Sequence, residues 1–205
     1  MPAEMPLFPL PLVAYPHCRL PLQIFEPRYL DMIKACMANE TPFAVMTIDK
    51  QGAVQGAFEP ALMPVGTSVR IVDFHDQANG LLGIVCEGIE KVTVNETRLA
   101  TDQLLLGSVT SIAAESTVAV PTDFAELVEV LLALFDHPYV QSLGYSESSR
   151  SEDWLSCSSR LGFYLAYLMP LPMSLRYKLL AMNESLERLA AIQSFIDDVN
   201  GFDPR

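Results

Sequence analysis

Tryptophan occurs once, histidine three times and cysteine four times in 205 residues, and basic side chains are outnumbered, 13 against 25 acids. Each shortage closes off a class of function. The Lys and Arg residues are dispersed, and residues 115–153 hold eight acids against one Arg, whereas binding a nucleic-acid backbone needs clustered cations that release counterions. No nucleic-acid partner is expected. The net charge of −12 reads as a solvated surface that keeps the protein soluble, in preference to an acidic docking face for a basic partner. Cys18, Cys36, Cys86 and Cys157 are scattered and form no C-x-x-C pair, which indicates neither zinc-ligand spacing nor a dense disulfide framework. Reduced, mostly buried thiols are the expectation. His17 and Cys18 are neighbours in an extended segment, so they point to opposite faces and make a poor Cys–His catalytic pair. His75 precedes a predicted turn and His137 follows a predicted helix, which leaves no sequence-local metal cluster.

Long apolar runs are missing too. No stretch approaches the roughly 18 uninterrupted residues of a membrane span, and the start, with Glu4 and several prolines, lacks a basic region followed by an apolar one. A soluble, cytoplasmic protein with no membrane partner is expected. No G-x-x-x-x-G-K-[ST] phosphate loop is present, so nucleotide hydrolysis of that kind has no seat. No catalytic, cofactor or metal-binding residue is assigned. Internal repeats and low-complexity tracts are absent; the Ser-rich stretch 142–159 reads as a loop running into a capped helix.

What is present is apolar and well patterned. Half of the residues are hydrophobic and mean hydropathy is +0.25, enough to bury the core of one domain or two small ones. The richest stretch is LFPLPLVAYPHCRLPLQIFEPRYLDMI, residues 7–33. Its first part, 7–13, is apolar, but Pro9 and Pro11, like Pro6 before them, cannot donate to a ladder, which predicts an edge, bulged or strand-end segment. A second extended piece covers 20–25. Pro27 then suits a first helical position, and Leu30, Ile33 and Met37 recur at helical spacing, predicting a helix over 27–39.

Strands follow, then helices. Residues 42–48 and 67–74 read as strands, and Asn79-Gly80 is a strong type I′ turn signal leading into 81–86. With 88–94 and 104–112 there are six or seven strands, spaced as in a small closed or partly open barrel. Residues 113–121 form the junction. Beyond it, Phe124, Leu127, Val128, Leu131, Leu132 and Phe135 follow the helical rule, with Asp123 and Glu126 as a capping pair. Ser149 and Glu152 form a capping box for a helix through Leu168 that stops before Pro170. Helices over 175–182 and 184–199 complete the chain, the last closed by Gly201.

Leu7-Phe8-Pro9-Leu10-Pro11, Leu20-Pro21-Leu22 and Phe25-Glu26-Pro27-Arg28-Tyr29 before a helix together resemble the N-terminal, substrate-binding domain of Lon proteases and its stand-alone bacterial relatives. Val65-Gly66-Thr67, Glu87-Gly88 and Leu186-Glu187-Arg188-Leu189 extend the resemblance over nearly the whole chain. It implies an α+β fold: a PUA-like β pseudo-barrel with one early helix over residues 1–114, followed by a helical bundle over 115–205. The ATPase and Ser–Lys protease domains of that family are not in this sequence, and Lys34, Lys50, Lys91 and Lys178 lie in no context resembling its proteolytic motif.

The implied role is therefore a non-catalytic module that binds polypeptide segments, with a protease as a further partner. Candidate polypeptide-binding or subdomain-interface residues are Glu26, Arg28 and Tyr29 in the opening motif and Met169, Met173 and Met182 near the end. For Glu26 and Arg28 the structural alternative is a helix cap and a tie to the barrel; for the methionines it is core packing, against an adaptable apolar surface. Two other readings stand beside this one. A homo-oligomeric scaffold would use an unpaired edge at residues 7–13, and a small-ligand binder or unrecognised enzyme would use a cleft where the two halves meet.

Overall fold

The computed structural model describes residues 3–49, 61–76, 82–145 and 157–200. Two compact units divide the chain, Met1–Ala114 and Glu115–Arg205. The first contains strands β1 (Ala3–Leu10), β2 (Arg19–Ile24), β3 (Phe43–Thr47), β4 (Val65–Asp76), β5 (Leu82–Leu99) and β6 (Leu105–Ser111), with helix α1 (Pro27–Asn39) between β2 and β3. The fold is α+β, a six-stranded sheet followed by helices.

The strands are ordered β2-β5-β4-β3-β1-β6, and β6 also pairs with β5, so the sheet returns on itself through one long strand. It is a pseudo-barrel rather than a clean barrel. The predicted strands 81–86 and 88–94 are a single 18-residue β5, whose early part pairs with β2 and whose late part pairs with β6. Register shifts at Ser68/Val69, Ile71/Asp73 and Val94/Glu96 supply the local bends that let long strands curl, as bulges do. The Asn79-Gly80 turn falls outside the described residues.

Prolines place the strands they interrupt. β1 begins and ends earlier than predicted, and it is not a bare edge. Residues 3–6 pair antiparallel with β6 and residues 7–10 pair parallel with β3, so Pro6 and Pro9 each stand where only one side of the strand is laddered. Among the described residues β2, with Pro21, is an outer strand that pairs with β5 alone. Between β1 and β2 the chain buries Val13, Ala14 and Tyr15. Thr67 Oγ1 donates to Ala14 O at 2.7 Å, and a Cβ on Gly88 would come within 2.0 Å of Tyr15 O, a close approach that only glycine permits. His17 takes a left-handed φ of 66° there, and its N–H donates to Gly88 O at 2.8 Å. Leu7, Ala44, Met46, Val92, Leu105 and Val109 form one core cluster.

In the second unit a short 3-10 turn (Thr122–Phe124) leads into α2 (Ala125–Phe135), followed by α3 (Pro138–Ser142), α4 (Ser158–Leu168), α5 (Met173–Ala181) and α6 (Ser185–Asn200). Leu127, Leu131 and Phe135 bury one face of α2. Neither Asp123 nor Glu126 caps it: the extended Pro121 and then the 3-10 turn occupy the start, with no side-chain capping bond. The short α3 was not foreseen. Its cap is His137, whose Nδ1 accepts from Tyr139 N–H at 3.2 Å. Cys157 stands at the N-cap position of α4 without a side-chain capping bond; the Ser149/Glu152 box and the Gly201 stop lie outside the described residues.

Arg188 organises this unit. Fully buried, it donates to both oxygens of Glu115 at 2.8 and 2.5 Å, to Leu179 O at 2.8 Å and to Met182 O at 2.6 Å, and its guanidinium lies 4.1 Å from the centre of the Phe163 ring. Gly162 makes room: a Cβ there would be 2.9 Å from Arg188 Cδ. A fork of fixed donors satisfied this fully is how a buried cation is tolerated.

Candidate functional site

The opening motif builds a cavity. Phe25 leaves β2, Glu26 stays extended (φ −79°, ψ 131°) and Pro27 starts α1, so three consecutive side chains fan out at a strand-to-helix corner. Glu26 does not cap the helix with its carboxylate; its carbonyl accepts from Tyr29 and Leu30 N–H. That frees the carboxylate for Arg28, whose Nε donates to Oε2 at 2.9 Å. Arg28 also donates to Gln103 O at 3.0 Å, tying α1 to the loop between β5 and β6, and its guanidinium lies 4.8 Å from the Tyr29 ring centre. Tyr29 stacks on Phe8 of β1 with ring centres 4.2 Å apart.

The cavity so formed holds about 320 Å³, toward the small end of binding pockets. Residues of β1 (Phe8, Leu10), β2 (Ile24) and the β5 and β6 ends (Leu99, Leu105) give it apolar walls, and Glu26 with Arg28 gives it one ion pair. Phe25 stands at it 66 % exposed. Burial holds the Tyr29 hydroxyl above its ordinary range, against the pull of Arg28 and with a further push from Glu26. Tyr29 is therefore a neutral phenol at physiological pH, and the site offers apolar surface, one phenol and one accessible charge pair. Such a surface can hold an apolar side chain while its ion pair orients nearby main chain.

Glu26, Arg28 and Tyr29 thus meet in one place. Met169, Met173 and Met182 belong to the helical unit, where Met169 is buried, Met182 half-buried and Met173 exposed. Among the described residues no group of three His, Cys, Asp or Glu could hold a metal ion, and no helix is long and apolar enough to cross a membrane. None of the four cysteines is in a disulfide, and three are buried. Burial raises the Cys36 thiol, which Thr41 opposes by a hydrogen bond, and burial pushes Cys86 to about 12, with Cys36 adding to the rise. Phe25 and the distant wall residues were missed as site residues. Phe25 carries a signal, an aromatic at the end of an extended piece beside Glu26 and Pro27; Leu99 and Leu105 carry none.

The profile of the ATP-dependent protease La (LON) substrate-binding domain matches residues 4–198. The chain belongs to that family. No protein of curated function matches it. Among solved structures, a Lon N-terminal domain protein from Xanthomonas campestris is similar at 26% identity with a TM-score of 0.73, over 94% of this chain and 98% of that one. The N-terminal domain of a Mycobacterium avium complex Lon protease shares the fold at 14% identity and a TM-score of 0.63, over 96% and 99%. The Lon substrate-binding match spans both compact units, so the helical half belongs to the family as much as the β half.

Proposed function

We propose that this Lon substrate-binding-domain protein is a non-catalytic, cytoplasmic polypeptide-recognition module, with a PUA-like β half, that hands bound segments to a protease as an adaptor. The observation that carries the reading is the cavity beside α1. Its walls are apolar, Phe25 is exposed beside it, and the ion pair of Glu26 and Arg28 is only half-covered. An exposed segment of a misfolded chain would place an aliphatic or aromatic side chain against Phe8, Leu10 and Ile24, while Arg28 and Glu26 receive polar main-chain groups. Exposed aromatic and Arg side chains are also the residue types that dominate binding energy at protein surfaces.

The oligomeric reading draws on the hydrophobic composition and on an edge at residues 7–13, of which residues 7–10 are paired with β3 along one side; the recognition reading is preferred for the cavity beside α1. The proposed role is tested with a peptide array of apolar and aromatic 12-mers, followed by fluorescence anisotropy on the best binders. Phe25→Ser and Arg28→Ala should each weaken binding about tenfold or more while leaving the unfolding midpoint in place. An array with no binder above background, or binders indifferent to both substitutions, would overturn it.

A further inference from the structure

β4 outruns the strand beside it. β3 pairs with it only at Thr67, Ser68 and Val69, while β4 continues to Asp76 with β5 along its other side. Behind Phe43, where β3 begins, stands Pro42, which has no N–H to prolong the ladder. Among the described residues, the side of residues 70–76 away from β5 therefore carries no strand. It borders instead a groove of about 520 Å³ walled by Cys36, Met37, Glu40 and Thr41 from the end of α1 and by residues 70–74.

Main chain and side chains here both suit a partner strand. The Phe74 N–H is taken by Asp73 Oδ1 at 2.8 Å, a local substitute for a neighbouring strand. Phe74 is 58 % exposed, Val72 43 % and Met37 39 %, which gives the groove an apolar floor beside an open hydrogen-bonding edge. Edges recruit other strands unless blunted; the register shift at Ile71/Asp73 bends this one, and among the described residues no strand covers it. Charge decides the partner. Arg70 is paired with Glu87 at 2.7 Å, so Glu40 and Asp73 set the sign of the groove. A second copy of a chain with net charge −12 would be repelled, whereas a basic segment would be drawn in.

We propose that the free edge of β4 at residues 70–76 binds an extended polypeptide segment of alternating apolar and basic residues by strand addition. Main-chain hydrogen bonds along the edge would supply affinity, and the peptide's apolar side chains would meet Val72 and Phe74 and its basic ones Glu40 and Asp73, all of which line the groove. This site is separate from the cavity at Glu26 and Arg28 and does not depend on the role proposed for it.

The probe is a fluorescein-labelled octapeptide of alternating lysine and valine, titrated against the full chain by anisotropy. Three changes should each weaken binding at least about tenfold: methylating alternate backbone amides of the peptide, replacing its lysines with glutamates, and the exposed-site substitution Phe74→Ser in the protein. The exposed-site substitution Tyr139→Ser in the helical unit should leave binding within about twofold. No binding up to about 1 mM, equal binding of the N-methylated peptide, or indifference to Phe74→Ser would overturn the proposal. Loss of binding in Arg28→Ala with Phe74→Ser unaffected would move the peptide to the other cavity and overturn it as well.

Discussion

Each unit of this protein contains an arginine stacked on an aromatic ring, paired with a carboxylate and donating to main-chain carbonyls. In the helical unit Arg188 pairs with Glu115 and lies on Phe163; in the β unit Arg28 pairs with Glu26 and lies on Tyr29. The chemistry is the same and the surroundings are not. Side-chain exposure is 0%/4% for the first pair and 35%/40% for the second. Two fully desolvated ions survive only because every good partner is in place, and removing one leaves the other stranded. A half-exposed pair remains solvated whether or not it is joined, and contributes little to folding. Burial thus makes one pair a structural keystone and leaves the other available for recognition.

The comparison breaks most decisively at Arg188. Arg188→Met should destabilise the helical unit by about 3–5 kcal/mol, since buried Glu115 loses its cation and the Leu179 and Met182 carbonyls lose their donor; native-state hydrogen exchange of α4 to α6 would read the loss. A change below about 1 kcal/mol would erase the distinction between the two arginines. A middle-sized effect belongs to the β unit and to alkaline pH. The Cys86 thiol ionises near 9 when unfolded and at about 12 when folded, so the folded form holds its proton more tightly. That stability is fully present below pH 9 and is lost as pH rises toward 12. Between pH 9 and 11 the unfolding free energy should fall by about 2 kcal/mol from this group. Cys86→Val should flatten that part of the profile in denaturant titrations, and an unchanged slope would count against the buried thiol.

Arg28→Met should cost less than about 1 kcal/mol, even though it opens the cavity's ion pair; a loss as large as that of Arg188→Met would mean Arg28 is structural and not free to recognise anything. The smallest effect is expected at Phe25→Ser. The side chain is already mostly in water, so stability should stay within about 0.5 kcal/mol by thermal or chemical melts.

Much of the β unit could be read from local signals, because its signals are local. Pro27 marks the first turn of α1 by supplying the right φ and lacking an N–H, and α1 spans the predicted residues 27–39. Pro21 marks β2 as an outer strand for a similar reason. Buried faces were harder. Of the predicted stripe on α1, Met37 is exposed and the buried face is Tyr29, Met32, Ile33 and Cys36, since the side of a helix that meets the core is chosen by what packs against it. Capping fared worst: Glu26, Asp123 and Glu126 all fit the pattern, and none of them caps. A capping side chain has other uses, and Arg28 claims the carboxylate of Glu26.

The sequence by itself determined the family, the α+β order of elements and the residues of the opening motif, because turn prolines, strand alternation and helix periodicity act over a few positions. Tertiary structure alone decided what surrounds them. Leu99 and Leu105 reach the cavity beside Phe25 only when β5 and β6 close the sheet, and among the described residues no strand flanks β4 beyond Val69 on the β3 side because β3 is short. It also decided which arginine is sealed from water, since desolvation depends on everything that packs around a charge and on nothing in its immediate sequence.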